Sequence, residues 1–400
     1  MGMSINTNSV SINAQRNLGL SGNSLATSMQ RLSSGLRVNS AKDDAAGLAI
    51  AERMNTQVKG LAVASRNAND GISLAQTAEG ALGKVGDMLQ RMRELAVQSG
   101  NATNSKTDRE ALQAELKQLR DEVDRVAKTT SFNGAKLLDG SFTGAVFQVG
   151  ANSGDNITVG ALANTKVDQL GKTEFGTSSV TGIVDASKTA AANNMSTADV
   201  TIVITGANQV SAQVTIAKDA DVTGDEALGR VVQAINSKTA DTGIVAFLAE
   251  DGKSIQYRAE KNADGVLANA TMAVSGGGAA GVTALLANPT TANADQTGIH
   301  KMDIKTQAGA WESLQRIDSA LDKVSSARAE LGAIQTRFEK SIENIDIQQE
   351  NISAARGRIT DADFAQETAN LSRTQILQQA GTAMVAQANQ LPQQVLQLLQ

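Results

Sequence analysis

The sequence predicts a mainly α-helical chain with an α+β insert in its middle. Both ends of the 400-residue chain are rich in charged residues and Gln, and they carry apolar residues at helical spacing. The middle is rich in Gly, Thr, Ser, Asn and Asp and contains β-branched runs. Aromatic residues make up only 2% of the chain, so its helices must pack through Ala, Val, Leu, Ile and Met.

The N-terminal end predicts a short helix, a polar break and a long helix. The break is expected at residues 39–44, and the long helix from about Ala45 to Ser99. Thr107 and Glu110 have the spacing of a capping box, which predicts the start of a third helix. The apolar seam of the first helix follows a 3-4 spacing and consists of Leu18, Gly22, Leu25, Met29, Leu32 and Leu36.

The C-terminal end carries a heptad pattern that is typical of a coiled coil. Its polar members, Arg328, Gln335 and Gln349, all occupy one of the two seam positions, where we expect them to set the register. The helix is expected to break near Gly357, with a new helix start at residues 360–363. The apolar members of the seam are Leu314, Ile317, Leu321, Val324, Leu331, Phe338, Ile342, Ile345 and Ile352.

A second C-terminal seam follows this break. We expect Pro392 to kink or end its helix. Because the seams lie at opposite ends of the chain, the ends are expected to pair with each other, with other copies of the chain, or with both. This seam consists of Leu377, Gly381, Met384, Ala388, Leu391, Val395 and Leu398.

The middle of the chain alternates strand and turn signals. A helix is predicted at residues 225–237, a turn at Asp251-Gly252, and loops at residues 276–278 and 288–294. The predicted strands lie at residues 142–149, 156–159, 200–205, 210–216, 244–248, 254–258 and 270–274.

The composition argues against catalysis, and we expect no enzyme activity and no cofactor. The chain has no Cys, and its single His300 joins no visible catalytic motif. Asp361 and Asp363 have no further metal ligand nearby in sequence, and they are interpreted as helix caps. A net charge of −5 without a basic patch argues against nucleic acid, and the absence of a long apolar run argues against membrane insertion.

Several long motifs at the two ends closely resemble those of bacterial flagellins. The resemblance covers about residues 1–175 and 300–400. The motifs lie at residues 5–9 (INTNS), 31–36 (RLSSGL), 39–48 (NSAKDDAAGL), 91–99 (RMRELAVQS), 132–134 (FNG) and 354–364 (AARGRITDADF).

The resemblance implies a structural subunit that self-assembles into the helical flagellar filament used for swimming motility. Three domains are expected: an inner all-helical polymerisation domain, a helical rod domain with a β-hairpin, and an outer variable α+β insert. Their respective bounds are 1–43 with 357–400, 44–175 with 301–356, and 176–300. Packing between subunits is expected at Leu18, Leu25, Met29, Leu32, Leu36, Leu377, Met384, Leu391, Val395 and Leu398.

The resemblance also implies partners and a location. We expect a homopolymer of many copies, a filament cap, hook–filament junction proteins and an export chaperone. The N-terminus lacks a secretory signal, and the family is exported to the extracellular filament through the flagellar type III apparatus. Arg91, Leu95 and Glu115 match a surface that the family uses for subunit packing and for Toll-like receptor 5.

Two other functions remain open at this point. A hook–filament junction protein would share the paired terminal helices but build only a short ring. A secreted host- or carbohydrate-binding module on a coiled-coil stalk would need binding chemistry in the insert. The insert has almost none of the aromatic residues that sugar binding requires.

Overall fold

The computed structural model is mainly helical with small sheets in the middle, which confirms the predicted fold class. The chain falls into two compact units. Unit 1 comprises Met1–Ile72, Val146–Thr158 and Thr336–Gln400, and unit 2 comprises Ser73–Ala145 and Val159–Gln335. The structure describes residues 8–173, 175–181, 183, 185–206, 209–249, 253–259, 271–275, 279–289 and 298–398.

Long helices occupy both ends of the chain, and short strands fill the middle. The helices are α1 (Ser9–Ser34), α2 (Ala45–Ser99), α3 (Lys106–Thr129), α4 (Asp185–Thr197), α5 (Gly224–Asn236), α6 (Thr239–Thr242), α7 (Ala279–Thr283), α8 (Gln307–Thr360) and α9 (Phe364–Leu398). The strands are β1 (Ser131–Phe132), β2 (Ala135–Lys136), β3 (Ala145–Gln148), β4 (Asn156–Val159), β5 (Gly176–Val180), β6 (Val200–Thr205), β7 (Ser211–Ile216), β8 (Ile244–Leu248), β9 (Ile255–Ala259) and β10 (Thr271–Ser275).

The predicted helix break near Gly357 is wrong by a few residues, because α8 continues to Thr360. A glycine inside a helix costs only about 1 kcal/mol relative to alanine. The surrounding turn is held by packing on α2, where Arg356 donates a 2.9 Å hydrogen bond to the Asn55 side chain. The next helix starts where the sequence predicts, since the Asp363 carboxylate accepts the backbone N–H of Ala365 at 3.0 Å.

Two further helix boundaries differ from the sequence prediction. The capping box of α3 is formed by Ser105 and Asp108 and not by Thr107 and Glu110. The earlier pair has the same spacing of three residues, and its Ser side chain accepts the N–H of Asp108 while the carboxylate accepts the N–H of Ser105. At the C-terminus, α9 runs past Pro392 to Leu398, which excludes an end of the helix at that proline.

The predicted seam on α8 is present and strongly one-sided. Five of the six residues at one seam position are buried and the sixth, Ile352, is half-buried. At the other position Arg328 is exposed and Gln335 is half-buried. This division fits the sequence, since all the polar members fall on the less buried position. The buried residues are Ile317, Val324, Leu331, Phe338 and Ile345.

In unit 1, α2 and α8 pack on the β3–β4 hairpin around the ring of Phe338. The ring meets Phe147 of β3 edge to face, with 5.5 Å between ring centroids. On α2, Gly71 faces the same ring so closely that an added Cβ would lie 2.5 Å from its Cζ. Asn67 donates a 3.0 Å hydrogen bond to the backbone carbonyl of Gln148, which ties the hairpin to α2.

In unit 2, α2 and α8 also run side by side, and polar seam residues find partners there. Gln335 donates a 2.7 Å hydrogen bond to the carboxylate of Glu79, and Arg328 lies 3.9 Å from the same carboxylate. Further along, Arg93 forms an ion pair with Asp318 at 2.7 Å. One α2 carboxylate therefore meets two of the three residues that the sequence assigns to register.

The α+β region of unit 2 has two antiparallel three-stranded sheets, with orders β10-β6-β7 and β5-β9-β8. Both sheets contribute to one apolar core, together with α4, α5 and α7. The predicted helix is confirmed as α5, which buries Leu228, Val231 and Ile235. Tyr257 is fully buried; its hydroxyl donates to the carbonyl of Leu285, and burial raises the pKa of that hydroxyl.

The predicted hairpins β3–β4, β6–β7 and β8–β9 are all present, as is the last strand, β10. The sequence prediction missed β1, β2, β5, α4, α6 and α7. β5 consists largely of Gly, Thr and Ser, and α4 is rich in Ala and Asn, so neither carries a stripe of large apolar residues. The Asp251-Gly252 turn, the loop at 276–278 and residues 290–294 lie outside the described residues.

Substituting Gly71 tests the packing of the Phe338 ring. We expect Gly71→Ala to lower the free energy of unfolding by roughly 1–3 kcal/mol, because the added methyl group displaces the ring. Gly80→Ala on the same helix is the matched control: it meets no atom within 4 Å and is expected to raise stability by up to about 1 kcal/mol. Urea unfolding followed by circular dichroism measures both, and equal effects at the two positions would contradict the packing described.

Candidate assembly surface

The two chain ends pair as antiparallel helices in unit 1. Residue numbers on α9 fall as those on α1 rise, which defines the antiparallel direction. The Asn8 side chain donates a 2.7 Å hydrogen bond to the carbonyl of Ala388, and the Ser11 hydroxyl donates one of 2.7 Å to Asn389. At the other end of the pair, Arg31 lies 4.0 Å from the carboxylate of Glu367.

This helix pair buries small and polar side chains instead of its leucines. Leu18 approaches Gly381, but it is only half-buried. Burial of apolar surface contributes on the order of 25 cal/mol per Å², so a contact built in this way adds little hydrophobic stabilisation. The buried side chains of α1 and α9 are Ser11, Ser28, Glu367, Thr374 and Ala388.

Eight large apolar side chains of the pair are left exposed on its outside. α1 and α9 have 26 and 35 residues of the 400, yet they carry eight of the fifteen large apolar side chains that are exposed in the described chain. Such a concentration marks an interaction surface, since single exposed apolar residues are otherwise scattered. The eight are Val10, Ile12, Leu20, Met29, Phe364, Ile376, Leu377 and Met384.

These exposed residues do not form one stripe. Leu377 and Met384 are seven residues apart and therefore share a face of α9. Ile376 is the direct neighbour of Leu377, and successive helical residues point about 100° apart. An apolar arc of this width is broader than the narrow seam by which two helices of a coiled coil meet, so the surface has room for more than one neighbour.

The ten residues predicted for packing between subunits divide into three groups. Met29, Leu377 and Met384 are 57%, 49% and 64% exposed. The side chains of Leu391, Val395 and Leu398 lie outside the described residues, although their backbone is helical. The remaining four are half-buried: Leu18, Leu25 and Leu32 on α1, and Leu36 just after it.

The chain breaks at the two ends lie side by side, in a junction formed by residues 35–37 and 359–362. Gly35 ends α1 with a φ of 72°, a conformation that glycine adopts readily. The N–H of Arg37 donates to the carbonyl of Thr360 at 2.7 Å, and the N–H of Ala362 donates to the carbonyl of Gly35 at 2.9 Å. The two helix pairs of unit 1 therefore meet at a point held by backbone hydrogen bonds.

The acidic residues after the junction hold its loop in place. The carboxylate of Asp44 accepts the N–H of Gly47 at 2.8 Å and caps α2. Hydrogen bonds from the hydroxyl and N–H of Ser40, and from the N–H of Asn39, hold the pKa of Asp43 below its ordinary value. Since the charged form is the one stabilised, this contribution is present at neutral pH and is lost as the pH falls through the lowered pKa.

Arg91 and Glu115 form an exposed charged surface between α2 and α3 in unit 2. The Arg91 guanidinium donates to Glu115 at 2.9 and 3.0 Å and to Glu94 at 2.8 Å. The carboxylates of Glu94 and Glu115 raise the pKa of Arg91 above its usual value. The expectation that Leu95 belongs to this surface is corrected, because Leu95 is 1% exposed and lies beneath it.

Asp363 and His300, which the sequence singles out as candidates for metal binding or catalysis, are bonded within the fold. None of them form a group of three or more side chains able to hold a metal ion. Asp363 is occupied as a helix cap, and the backbone carbonyl of His300 accepts a 2.8 Å hydrogen bond from Arg120. No helix within the described ranges is long and apolar enough to cross a membrane.

Family models and known relatives match this chain over long stretches. The bacterial flagellin N-terminal helical region matches residues 5–143, and the bacterial flagellin C-terminal helical region matches residues 314–399. Flagellin A of Vibrio anguillarum is 42% identical over 412 residues, and B-type flagellin of Pseudomonas aeruginosa is 37% identical over 490 residues; each match covers 100% of both chains. The solved structure of FliC from Burkholderia pseudomallei is 25% identical, with 67% of this chain and 99% of that chain covered and a TM-score of 0.40.

Both helical ends match family models, and the relatives are flagellins over their whole length. These matches favour a filament subunit over a junction protein. The two matched regions contain the helices α1, α2 and α9, and with them the paired ends of unit 1. The chain belongs to the bacterial flagellin family.

Proposed function

We propose that this chain is the structural subunit of a helical flagellar filament used for swimming motility. The observation that carries the proposal is the set of eight exposed apolar side chains on α1 and α9. A surface that points in more than one direction binds several neighbours. When contacts between copies are head to tail and do not close a ring, the product is an open helical fibre.

The proposal assigns a role to each part of the chain. Residues 1–43 and 357–400 form the polymerisation domain, and residues 44–175 and 301–356 form a supporting helical domain with the β3–β4 hairpin. Residues 176–300 form the outer insert. The polar junction at residues 35–37 and 359–362 supports a boundary between the first two domains.

Partners and location follow from the family and remain part of the proposal. The chain is exported through the flagellar type III apparatus and assembles outside the cell beneath a filament cap. It meets hook–filament junction proteins at the filament base and an export chaperone before secretion. We propose no catalytic activity and no cofactor for it, since its function is carried by contacts between copies.

Seeded assembly of the purified chain tests the proposal directly. We expect the full chain to grow long tubes from short filament seeds, observed by electron microscopy. A chain lacking residues 1–40 is expected to form none, because it loses α1 and the pairing partner of α9. If the shortened chain grows tubes as long as the full chain, the terminal helices do not carry assembly.

A single charge on the exposed face of α9 tests which surface carries assembly. We expect Leu377→Lys to raise the subunit concentration needed for assembly by roughly tenfold or more, because a lysine must be desolvated in the contact. Val210→Lys is the matched control, since Val210 is 46% exposed in the insert and Leu377 is 49% exposed. Both substitutions are expected to leave the melting temperature of the monomer unchanged. Equal losses of assembly from the two variants would contradict the assignment.

The terminal pair is expected to become ordered only when copies assemble. Its interface buries small and polar groups, whereas the stability of most protein helices comes from the packing of an apolar face. We therefore expect residues 1–40 and 360–400 to contribute little helix signal in the monomer. Circular dichroism of monomer and filament at equal subunit concentration measures the difference, and equal helix content would overturn this prediction.

The charged surface between α2 and α3 is proposed to contact Toll-like receptor 5. We expect the combined substitutions Arg91→Ala and Glu115→Ala to weaken receptor activation by roughly tenfold or more, as the loss of a central contact does. Glu122→Ala with Arg125→Ala removes a similar exposed ion pair from α3 and serves as the control. A receptor reporter assay on monomers of unchanged melting temperature gives the readout. Full activation by the first variant would reject the assignment.

A further inference from the structure

The methionines of this chain differ sharply in exposure. Eight of the ten lie in the described part of the chain: Met29, Met54, Met88, Met92, Met195, Met272, Met302 and Met384. Met54 and Met88 are half-buried, and Met92, Met195, Met272 and Met302 are buried. Only Met29 and Met384 among these eight are exposed, at 57% and 64%.

Both exposed methionines lie on the surface proposed for assembly. Met29 is on α1, and Met384 is on α9, on the face that also presents Leu377. In the free subunit their thioether sulfur atoms are open to solvent. Where another copy covers these faces, the same sulfur atoms enter an apolar contact. The inference that follows rests on the proposed function.

We propose that Met29 and Met384 are oxidation sites that make assembly depend on the redox state of the free subunit. The oxidant is a hydroperoxide, with hydrogen peroxide as the simplest case. The sulfur lone pair attacks one peroxide oxygen, so that an S–O bond forms as the O–O bond breaks. The sulfur loses two electrons, the transferred oxygen gives its proton to the departing hydroxide, and the products are methionine sulfoxide and water.

The sulfoxide opposes assembly because it replaces an apolar side chain by a polar one. Its S–O group is a strong hydrogen-bond acceptor, and a contact made of apolar side chains provides no donor for it. Burying the sulfoxide in such a contact therefore costs free energy. The fold of the monomer is retained, since both side chains lie outside the buried core. The change is reversible, because methionine sulfoxide reductases return the sulfoxide to the thioether.

The experiment compares free and assembled protein after exposure to hydrogen peroxide. Purified monomer is treated and quenched, and peptide mass spectrometry locates the added oxygen atoms. We expect Met29 and Met384 to react before the buried methionines, and to react more slowly in intact filaments. The subunit concentration needed for seeded assembly is expected to rise by roughly tenfold, with an unchanged melting temperature. Treatment with the two sulfoxide reductases is expected to restore assembly.

Matched variants assign the effect to these two positions. Leucine has a volume close to that of methionine and cannot be oxidised in this way. We expect the combined substitutions Met29→Leu and Met384→Leu to preserve assembly after peroxide treatment. The combined Met54→Leu and Met88→Leu control is expected to remain sensitive, because both exposed methionines are still present.

The outcomes separate this inference from the proposed function. If the untreated chain grows no filaments from seeds, the proposed function fails. If the untreated chain assembles and the oxidised chain assembles at the same concentration, the inference fails alone. It also fails if the Met29→Leu, Met384→Leu variant loses assembly on oxidation as the original chain does. If that variant assembles poorly before treatment, the test is reductase treatment of the oxidised original chain. Recovery of its assembly supports the inference, and no recovery overturns it.

Discussion

The buried stripe along α8 is the constraint on which the rest of the chain depends. Its members recur every seven residues from Ile317 to Ile345, and such a stripe is stable only against a partner helix. The partner is α2, from the other half of the sequence, so the chain must close on itself. Everything between the two helices is then an insertion whose ends return to nearby points, as the antiparallel sheets and their shared core allow. The polar seam residues add register, since Glu79 meets both Arg328 and Gln335.

The terminal helices follow a different design from α2 and α8. Their mutual contact buries Ser11, Ser28 and Thr374, and eight of their large apolar side chains remain exposed to solvent. Pairing of these two helices alone buries little apolar surface and therefore contributes little hydrophobic stabilisation. A neighbour that covers the exposed side chains would contribute much more. Under the proposed function, stability within the subunit and attraction between subunits are placed on separate helices.

Much of this organisation could be predicted from periodicity, because the helical and strand patterns are long and consistent. The bounds of α2, the alternating strands β6 and β8 and the seam on α8 are examples. The misses have physical causes. The pairs Ser105–Asp108 and Thr107–Glu110 have the same spacing in the sequence, so spacing alone does not show that Ser105 is the cap. Gly357 remains helical because contacts such as the Arg356–Asn55 hydrogen bond hold its turn. Spacing alone does not identify the partner of a polar seam residue, so the sequence did not predict that Glu79 contacts Arg328 and Gln335. Leu95 was placed on a surface by its motif, although its position on α2 directs it into the interior.

The junction at residues 35–37 and 359–362 has a mechanical consequence. Backbone hydrogen bonds, among them those from Arg37 to Thr360 and from Ala362 to Gly35, cross-link the chain where α1 ends and α9 is about to begin. The Arg37 side chain adds a further link by donating to the carbonyl of Ile359 at 2.7 Å. A pull or a twist on either terminus is therefore shared by both chain segments before it reaches α2 or α8. The links act in parallel, so a load must break them together before the two segments separate.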